Sequence, residues 1–201
     1  MLEVRDLGLG GAAEIVPRCF GDERGWFSEV WNRERLREAG EAHGLRLDHD
    51  WCQDNQSLSA EIGTLRGLHY QAPPTAQAKL VRVLAGAIRD VAVDARAGSP
   101  TFGRHATVDL SAERGNQILV PHGFLHGFLT LTPDAVVHYK VDAPYSKADD
   151  GAVAWDDPDL AIDWGLGRDG LPERPVLSGK DAAAPRLAEA RPPFAYDGDP
   201  A

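Results

Sequence analysis

The chain has 201 residues, of which 43% are hydrophobic and 26% are charged, and a formal net charge of −10. That length suits one globular domain with a sizeable core, and the acidic balance argues against nucleic acid as a partner, because such partners need a basic face. No apolar run approaches the ~20 residues that cross a bilayer. The N-terminal MLEVRDLG lacks the apolar core of a secretory signal, and Cys19 and Cys52 form no disulfide pattern, so the cytoplasm is the expected location and a membrane partner is not expected.

The first predicted element is a helix over 32–40, NRERLREAG, in which Asn32 serves as the N-cap and Gly40 as the C-terminal stop. Short apolar runs of four to nine residues follow. They are closed by Gly, Pro or Asp at a spacing of about ten residues, which is typical of an all-β sandwich or barrel. These runs cover 64–70, 79–84, 87–95, 104–110, 117–120, 124–131 and 135–141.

The C-terminal part of the chain predicts little regular structure. A second, weak helix at 180–190 is broken by Pro185, and the segment 188–201 is expected to be loosely ordered. We therefore predict a single domain over 1–201 with an all-β fold, a double-sheet jelly-roll (cupin-like) barrel with short helices. Closure of such a barrel removes exposed sheet edges.

The most informative stretch is 64–82, TLRGLHYQAPPTAQAKLVR, which places four basic groups in apolar surroundings: His69, Arg66, Lys79 and Arg82. A neutral imidazole beside cations can accept a proton, while the cations hold an anion or a developing enolate. The pattern therefore indicates carbon-acid chemistry on a negatively charged substrate. A lone histidine in a strand is more often structural, and this alternative stays open.

Strand alternation places Arg66 and His69 on opposite faces of the strand. The two side chains can share a site only if Gly67 introduces a β-bulge or a strong local twist, and glycine is where such a break is tolerated.

A second histidine-rich stretch, VPHGFLHGFLTL at 120–131, contains His122 and His126 in the spacing of the second metal motif of cupin barrels. The first half of that motif requires His-x-His followed by a carboxylate. Here residues 69–71 read His-Tyr-Gln, and Lys79 lies where the carboxylate is wanted. We therefore predict no metal and interpret His126 as a polar wall group or a substrate contact.

Alternation in VVHYKV predicts that Val137, Tyr139 and Val141 face the barrel, whereas His138 and Lys140 face outward. A phenol in an apolar cavity, opposite a base, is a good proton donor to the far face of a carbon centre. A purely structural tyrosine is the alternative interpretation.

Several sequence blocks, in one order along about 14–187, resemble a known family. The blocks are FGDERGWFSE, QDNQS, LRGLHYQAPPTAQAKLVRV, DVAVDARAGSPTFG, LSAERGNQ, VPHGFLHGF, YKVDAPY, WDDPDLAIDW and LSGKD. The chain resembles the nucleotide-sugar epimerases typified by dTDP-4-dehydrorhamnose 3,5-epimerase, which are cupin-type jelly rolls and usually homodimers.

The resemblance implies His69 as the general base, Asp181 as its carboxylate partner and Tyr139 as the opposing proton donor. Lys79 and Arg66 are implied to surround the C4 carbonyl of the substrate. The remaining positions implied to contact substrate, including a stacking position for thymine at Tyr145, are Arg24, Glu29, Gln53, Asn55, His126, Tyr145 and Asp150.

The implied activity is the inversion of C3 and C5 in dTDP-4-dehydro-6-deoxy-D-glucose, giving dTDP-4-dehydro-L-rhamnose without metal or cofactor. Three alternatives remain: a single-centre 3- or 5-epimerase of a related dTDP-4-keto-deoxysugar, a metal-dependent cupin enzyme, and a non-catalytic sugar-nucleotide binder. The chain departs from the family pattern at Arg89, His105, His122 and Gly151-Ala152. At position 122 the usual residue is uncharged or acidic.

Overall fold

A computed structural model describes residues 2–198, and they form a predominantly β structure. The strands are β1 Glu3–Asp6, β2 Ala13–Val16, β3 Cys19–Asp22, β4 Gly25–Ser28, β5 Gln53–Ser59, β6 Leu65–Gln71, β7 Lys79–Ala85, β8 Ala87–Asp94, β9 His105–Ser111, β10 Gln117–Val120, β11 Phe124–Thr130, β12 Ala135–Val141 and β13 Asp150–Ala152. The helices are α1 Arg33–His43, α2 Gly179–Ala182 and α3 Leu187–Ala190. Each of the seven predicted apolar runs corresponds to one strand, β6 to β12.

The strands form two antiparallel sheets that enclose a common core. One sheet has the order β1-β2-β10-β7-β12-β5, and the other has the order β13-β6-β11-β8-β9. Buried side chains of β7, β10 and β12 pack against buried side chains of β8, β9 and β11 in a single cluster. This arrangement confirms the predicted double-sheet jelly roll.

The C-terminal segment covers the outer face of the five-stranded sheet. Its buried side chains, among them Trp164, Leu187 and Phe194, pack with Leu65 and Leu129 of that sheet. Ordered contacts continue beyond α3, because Ala97 N donates to Phe194 O at 2.9 Å and Tyr196 N donates to Ala97 O at 3.0 Å. The segment expected to be loose is therefore packed as far as Tyr196, and 199–201 lie outside the described residues.

Helix α1 covers the outer face of the six-stranded sheet, where Leu36 packs with Leu80 and Leu119. The Asn32 side chain accepts a hydrogen bond from Arg35 N at 3.2 Å and caps the helix as predicted. The predicted stop at Gly40 is wrong. The helix continues to Gly44, which adopts a left-handed φ of 67°, and Gly40 lies buried inside the helix, where a Cβ would clash with the segment that follows it.

Strands β3 and β4 form a separate two-stranded hairpin that belongs to neither main sheet. Its aromatic side chains are exposed, with Trp26 at 67% and Phe27 at 70% of their full accessibility. No helix within residues 2–198 combines the length and the apolar character that a membrane span requires.

Candidate active site

A cavity of about 260 Å³ brings together five of the ionisable residues that the sequence singled out: His69, Lys79, Tyr139, Tyr145 and Asp150. It is walled by β5 and β12 of one sheet and by β6 of the other, and β7 contributes Lys79. Its lining residues are Gln53, Asn55, His69, Tyr70, Gln71, Gln77, Lys79, Tyr139, Tyr145, Asp150 and Lys180.

A larger groove of about 1080 Å³ lies beside β1 and β9. Each of its arginines is already paired with a carboxylate, which indicates a network of surface ion pairs. These pairs are Arg5–Glu14, Arg89–Asp109, Arg114–Glu14 and Arg168–Asp163. The smaller cavity is the candidate active site, because there a base, a cation and a phenol converge.

His69 forms a dyad with Asp181, although 112 positions separate them in the sequence. The His69 Nε2 atom lies 2.6 Å from Asp181 Oδ1, and the Asp181 side chain is only 4% exposed. Burial favours a higher pKa for Asp181, but hydrogen bonds from His69 and Ser178 outweigh it and hold the pKa below its usual value. An ionised carboxylate can only accept, so Nε2–H donates, and Nδ1 is the ring nitrogen left to accept a proton.

A one-residue irregularity in β6 positions the His69 side chain. His126 pairs with His69 and Phe128 with Arg66, so three steps along β6 match two along β11. This is the bulge expected at Gly67. Gly67 has a φ of 114°, and a Cβ there would lie 2.6 Å from His126 O, so the position requires glycine.

Lys79 supplies the positive charge of the cavity. Burial lowers the pKa of Lys79 to about 8, a shift that Asp90 and Asp150 oppose and Lys180 reinforces. A lysine in this state is mostly protonated at neutral pH, yet it is poorly solvated and interacts strongly with negative charge that develops beside it.

His126 lies on β11, the strand next to β6, and does not belong to the residues that line the cavity. It is 7% exposed, and its Nε2 atom lies 2.9 and 3.0 Å from the two carboxylate oxygens of the fully buried Asp90. Because His126 pairs with His69 across the β6–β11 ladder, the His126–Asp90 pair supports the strand that holds the base.

Tyr139 lines the cavity from the opposite sheet. Burial raises the pKa of the Tyr139 phenol, and the positive charge of Arg66 opposes this shift only in part, so the hydroxyl keeps its proton. Its neighbours His138 and Lys140 point to Asp54 on the other side of the strand, at 3.8 and 2.9 Å, which confirms the predicted alternation.

The mouth of the cavity is polar and partly open to solvent. Tyr145 is 58% exposed, and its hydroxyl donates to Asp150 Oδ2 at 3.4 Å. Lys180 Nζ donates to the same oxygen at 2.5 Å. Gln53 Oε1 accepts a hydrogen bond from Tyr145 N at 3.1 Å, and its amide donates to Asn55 Oδ1 at 2.8 Å.

Besides His126, three residues with predicted substrate contacts lie outside the cavity of their own chain. Arg66 donates to Leu58 O and Ser59 Oγ at 3.2 Å and reaches the site only through its charge on Tyr139. The Arg24 side chain is 82% exposed on the β3–β4 hairpin and pairs there with Asp22. Glu29 contacts the start of α1, where it pairs with Arg35 at 3.1 Å.

Sequence reasoning also missed several residues of the cavity. Tyr70, Gln71, Gln77 and Lys180 also line it. Lys180 belongs to the same sequence block, LSGKD, as Asp181. The position of Lys180 beside Asp181 was a usable signal. Arg82, grouped in the sequence with the basic cluster, pairs in register with Gln117 and His138 and does not line the cavity.

Comparison with known proteins identifies the family. The sequence model of the family described as dTDP-4-dehydrorhamnose 3,5-epimerase matches residues 6–189. The chain is 47% identical over 194 residues to the dTDP-4-dehydrorhamnose 3,5-epimerase of Sinorhizobium fredii, covering 96% of this chain and 93% of the relative. The chain belongs to the dTDP-4-dehydrorhamnose 3,5-epimerase family. Membership confirms that this is an enzyme of the isomerase class.

Solved structures agree with the family. The dTDP-6-deoxy-D-glucose-3,5-epimerase of Legionella pneumophila, in complex with dTDP-4-keto-L-rhamnose, superposes with a TM-score of 0.86 at 40% identity and covers 98% of this chain and 100% of its own. A 3′-monoepimerase from Streptomyces bikiniensis, in complex with dTDP-quinovose, gives a TM-score of 0.80 at 38% identity and covers 90% of this chain and 86% of its own. The fold is therefore shared by double and single epimerases.

Proposed function

We propose that this epimerase-family chain inverts C3 and C5 of dTDP-4-dehydro-6-deoxy-D-glucose to give dTDP-4-dehydro-L-rhamnose. One observation carries the proposal: the His69–Asp181 dyad, Lys79 and Tyr139 surround a single cavity, with the base and the phenol on opposite sheets. The relative from Legionella pneumophila, which superposes along nearly the whole chain, holds the proposed product.

The first step is removal of a proton next to the ketone. C3 and C5 both lie α to the C4 carbonyl, so loss of either hydrogen gives an enolate. The Nδ1 atom of His69 accepts the proton, and the buried Asp181 carboxylate stabilises the imidazolium that forms, as a third group does in other histidine-centred sites. Lys79 stabilises the enolate oxygen, an effect worth about 2.7–4 kcal/mol for one preorganised donor.

The second step returns a proton to the opposite face of the ring. Tyr139 donates its phenolic proton to the carbon, which inverts the centre, and the phenol is restored by a proton from solvent. His69 releases its proton to solvent, so each inversion conserves protons overall. The ketone is the electron sink, and this route uses no metal or redox cofactor.

The mouth of the cavity suits the rest of a nucleotide sugar. Lys180 lies at the entrance, where it is paired with Asp150 and would exchange that partner for the diphosphate. Tyr145 presents an exposed ring for stacking on the base, as the family resemblance implies. A soluble nucleotide sugar as substrate agrees with the proposed cytoplasmic location.

The protein functions as a homodimer in this proposal. Arg24 and Glu29 are implied to contact substrate, yet they lie outside the cavity of their own chain, and the hairpin that carries Arg24 also exposes Trp26 and Phe27. A second copy that receives this hairpin at its cavity would bury the aromatic rings and complete the site.

Complementation between two defective variants tests the dimer. A mixture of Arg24→Ala and His69→Ala chains, refolded together, contains heterodimers with one intact site, so activity should recover to about one quarter of wild type on random pairing. Each variant alone should stay impaired. A mixture no more active than its components, or a monomeric mass in light scattering, would contradict the shared site.

Turnover in D2O tests the reaction itself. Nuclear magnetic resonance should show deuterium at both C3 and C5 of the product, and His69→Ala should abolish incorporation at both carbons while circular dichroism shows a folded protein. Substantial turnover by this variant would mean that the base is misassigned.

The same measurement separates the second candidate, a single-centre epimerase, which the similarity to the 3′-monoepimerase from Streptomyces bikiniensis favours. Deuterium at C3 alone or at C5 alone would replace the double-epimerase assignment.

A further inference from the structure

A cluster of two histidines and one aspartate lies outside the catalytic cavity. His49 belongs to the segment between α1 and β5, His122 to the turn between β10 and β11, and Asp142 directly follows β12. None of the three lines the cavity, and the proposed reaction uses none of them. Three separate segments of the chain thus direct polar side chains at one point.

Both imidazoles point at the same carboxylate oxygen. His49 Nδ1 lies 3.1 Å and His122 Nε2 lies 2.9 Å from Asp142 Oδ2, and the three donor atoms are within 4.8 Å of one another. Zinc held by nitrogen and oxygen ligands at about 2.0–2.2 Å keeps neighbouring ligand atoms about 3–3.5 Å apart. The donor atoms therefore need only small shifts to surround an ion.

The surroundings favour a bound cation. Burial would raise the pKa of Asp142, but hydrogen bonds from His122 and His49 outweigh it and hold the pKa well below its usual range, so the carboxylate is anionic. Its other oxygen accepts a hydrogen bond from Ala78 N at 2.8 Å, which fixes its orientation as outer-shell partners do in metal sites.

The environments of the two imidazoles also fit metal binding. His49 is 1% exposed and directs Nδ1 at Asp142; its Nε2 atom has no hydrogen-bond partner among the described residues and would carry the ring N–H when Nδ1 binds an ion. Neutral imidazole is the form that binds metals. The His122 side chain is 42% exposed and gives an ion access from solvent.

We propose that His49, His122 and Asp142 bind a divalent transition-metal ion of the zinc class, with a fourth position left for water. The ion would cross-link three segments and stabilise the fold near the loop that leads into Lys79, without taking part in the proposed reaction. Imidazole with carboxylate suits zinc, cobalt and nickel better than magnesium.

Titration of chelator-treated protein with Zn²⁺ tests the proposal directly. Calorimetry should give one bound ion per chain, Co²⁺ should give visible d–d absorption typical of tetrahedral coordination, and Mg²⁺ should not bind. The melting temperature should rise with Zn²⁺, because an ion that binds only the folded state stabilises it. Absence of Zn²⁺ binding, or binding without a thermal shift, would overturn the proposal.

Matched variants locate the ion. His122→Asn and Asp142→Asn should each weaken Zn²⁺ binding by about 100-fold or more, since even outer-shell partners are worth 10–100-fold. Cys52→Ser removes an exposed thiol close to the site, since the backbone N–H of Cys52 donates to the O atom of Val141, the residue before Asp142, at 2.9 Å. His138→Asn removes a histidine that lies near a different aspartate, Asp54. Both controls should bind like wild type. Unchanged affinity in His122→Asn and Asp142→Asn, or loss of binding in Cys52→Ser, would place the ion elsewhere.

Discussion

The alkaline limb of the pH profile should report the charge of Lys79. With a pKa of about 8, the ammonium is about nine-tenths protonated at pH 7 and about one-tenth protonated at pH 9. The protonated form is the one that stabilises the enolate, so activity falls as pH rises through 8. An ordinary lysine, with its pKa near 10.4, would stay charged across this range.

The assay is kcat/KM for deuterium incorporation, followed from pH 6 to 10, because this parameter reports the ionisation of the free enzyme. We expect a decline of about tenfold between pH 7 and 9, in line with the change in the charged fraction. Lys79→Met, which removes the charge, should lower kcat/KM by about 10²–10³ at pH 7, the usual cost of one missing oxyanion donor.

Lys79→Arg is the diagnostic variant, because guanidinium does not lose its proton in this range. Whatever activity it retains should not decline between pH 7 and 9. A wild-type profile that stays flat to pH 10 would refute the assignment. So would a Lys79→Arg profile that falls with the wild-type midpoint, since another group would then be titrating.

Three further predictions concern the dyad, the donor and the bulge. Tyr139→Phe keeps the ring but deletes the proton, so inversion should fall by about 10²–10⁴ while deprotonation suffers less; equal loss of isotope exchange and epimerisation would contradict the role. Asp181→Asn places an amide against Nε2 and should cost about 10⁴ in kcat by favouring the wrong tautomer; near-normal activity in a folded protein would show that the carboxylate is dispensable. Gly67→Ala should lower the free energy of unfolding, measured by urea denaturation, by more than about 2 kcal/mol. The reason is that the new Cβ would lie 2.6 Å from His126 O. Gly98→Ala is its control, because Gly98 has a φ of 87° but a Cβ there would meet no described residue within 4 Å apart from its chain neighbours. An equal effect of the two substitutions would mean that backbone conformation alone decides.

Much of the fold could be predicted from the sequence, because seven strands are short apolar runs and each run is closed by glycine, proline or aspartate. Strand β5 escaped this reasoning, since its sequence QDNQSLS is polar and its side chains alternate between half-buried and exposed positions. Strands β1 to β4 have four residues each, too few for a clear period. Gly40 was misjudged because a glycine that permits close packing and one that ends a helix look identical in sequence.

The site was predictable to a different degree. The strand period indicated that Tyr139 faces inward, and Gly67 indicated the bulge beside His69. The pairing of His69 with Asp181 had no local signal and came only from the family resemblance, because nothing in sequence spacing brings residues 112 positions apart into contact. Arg24 lies outside the cavity of its own chain, so its implied substrate contact remains a prediction that depends on the proposed homodimer, and a single sequence carries no signal for a contact between two copies.

The late position of Asp181 has a consequence for the maturation of the protein. The His69 imidazole is translated 112 residues before the Asp181 carboxylate, which lies on a helix of four residues, α2. A fragment clipped before Ser178 would keep both sheets and Trp164 but would lack Leu187 and Phe194, so the outer face around Leu65 and Leu129 would be only partly covered. Such an intermediate would be catalytically inactive and would expose apolar surface, so it would be a target for chaperones and proteases before it could turn over any nucleotide sugar.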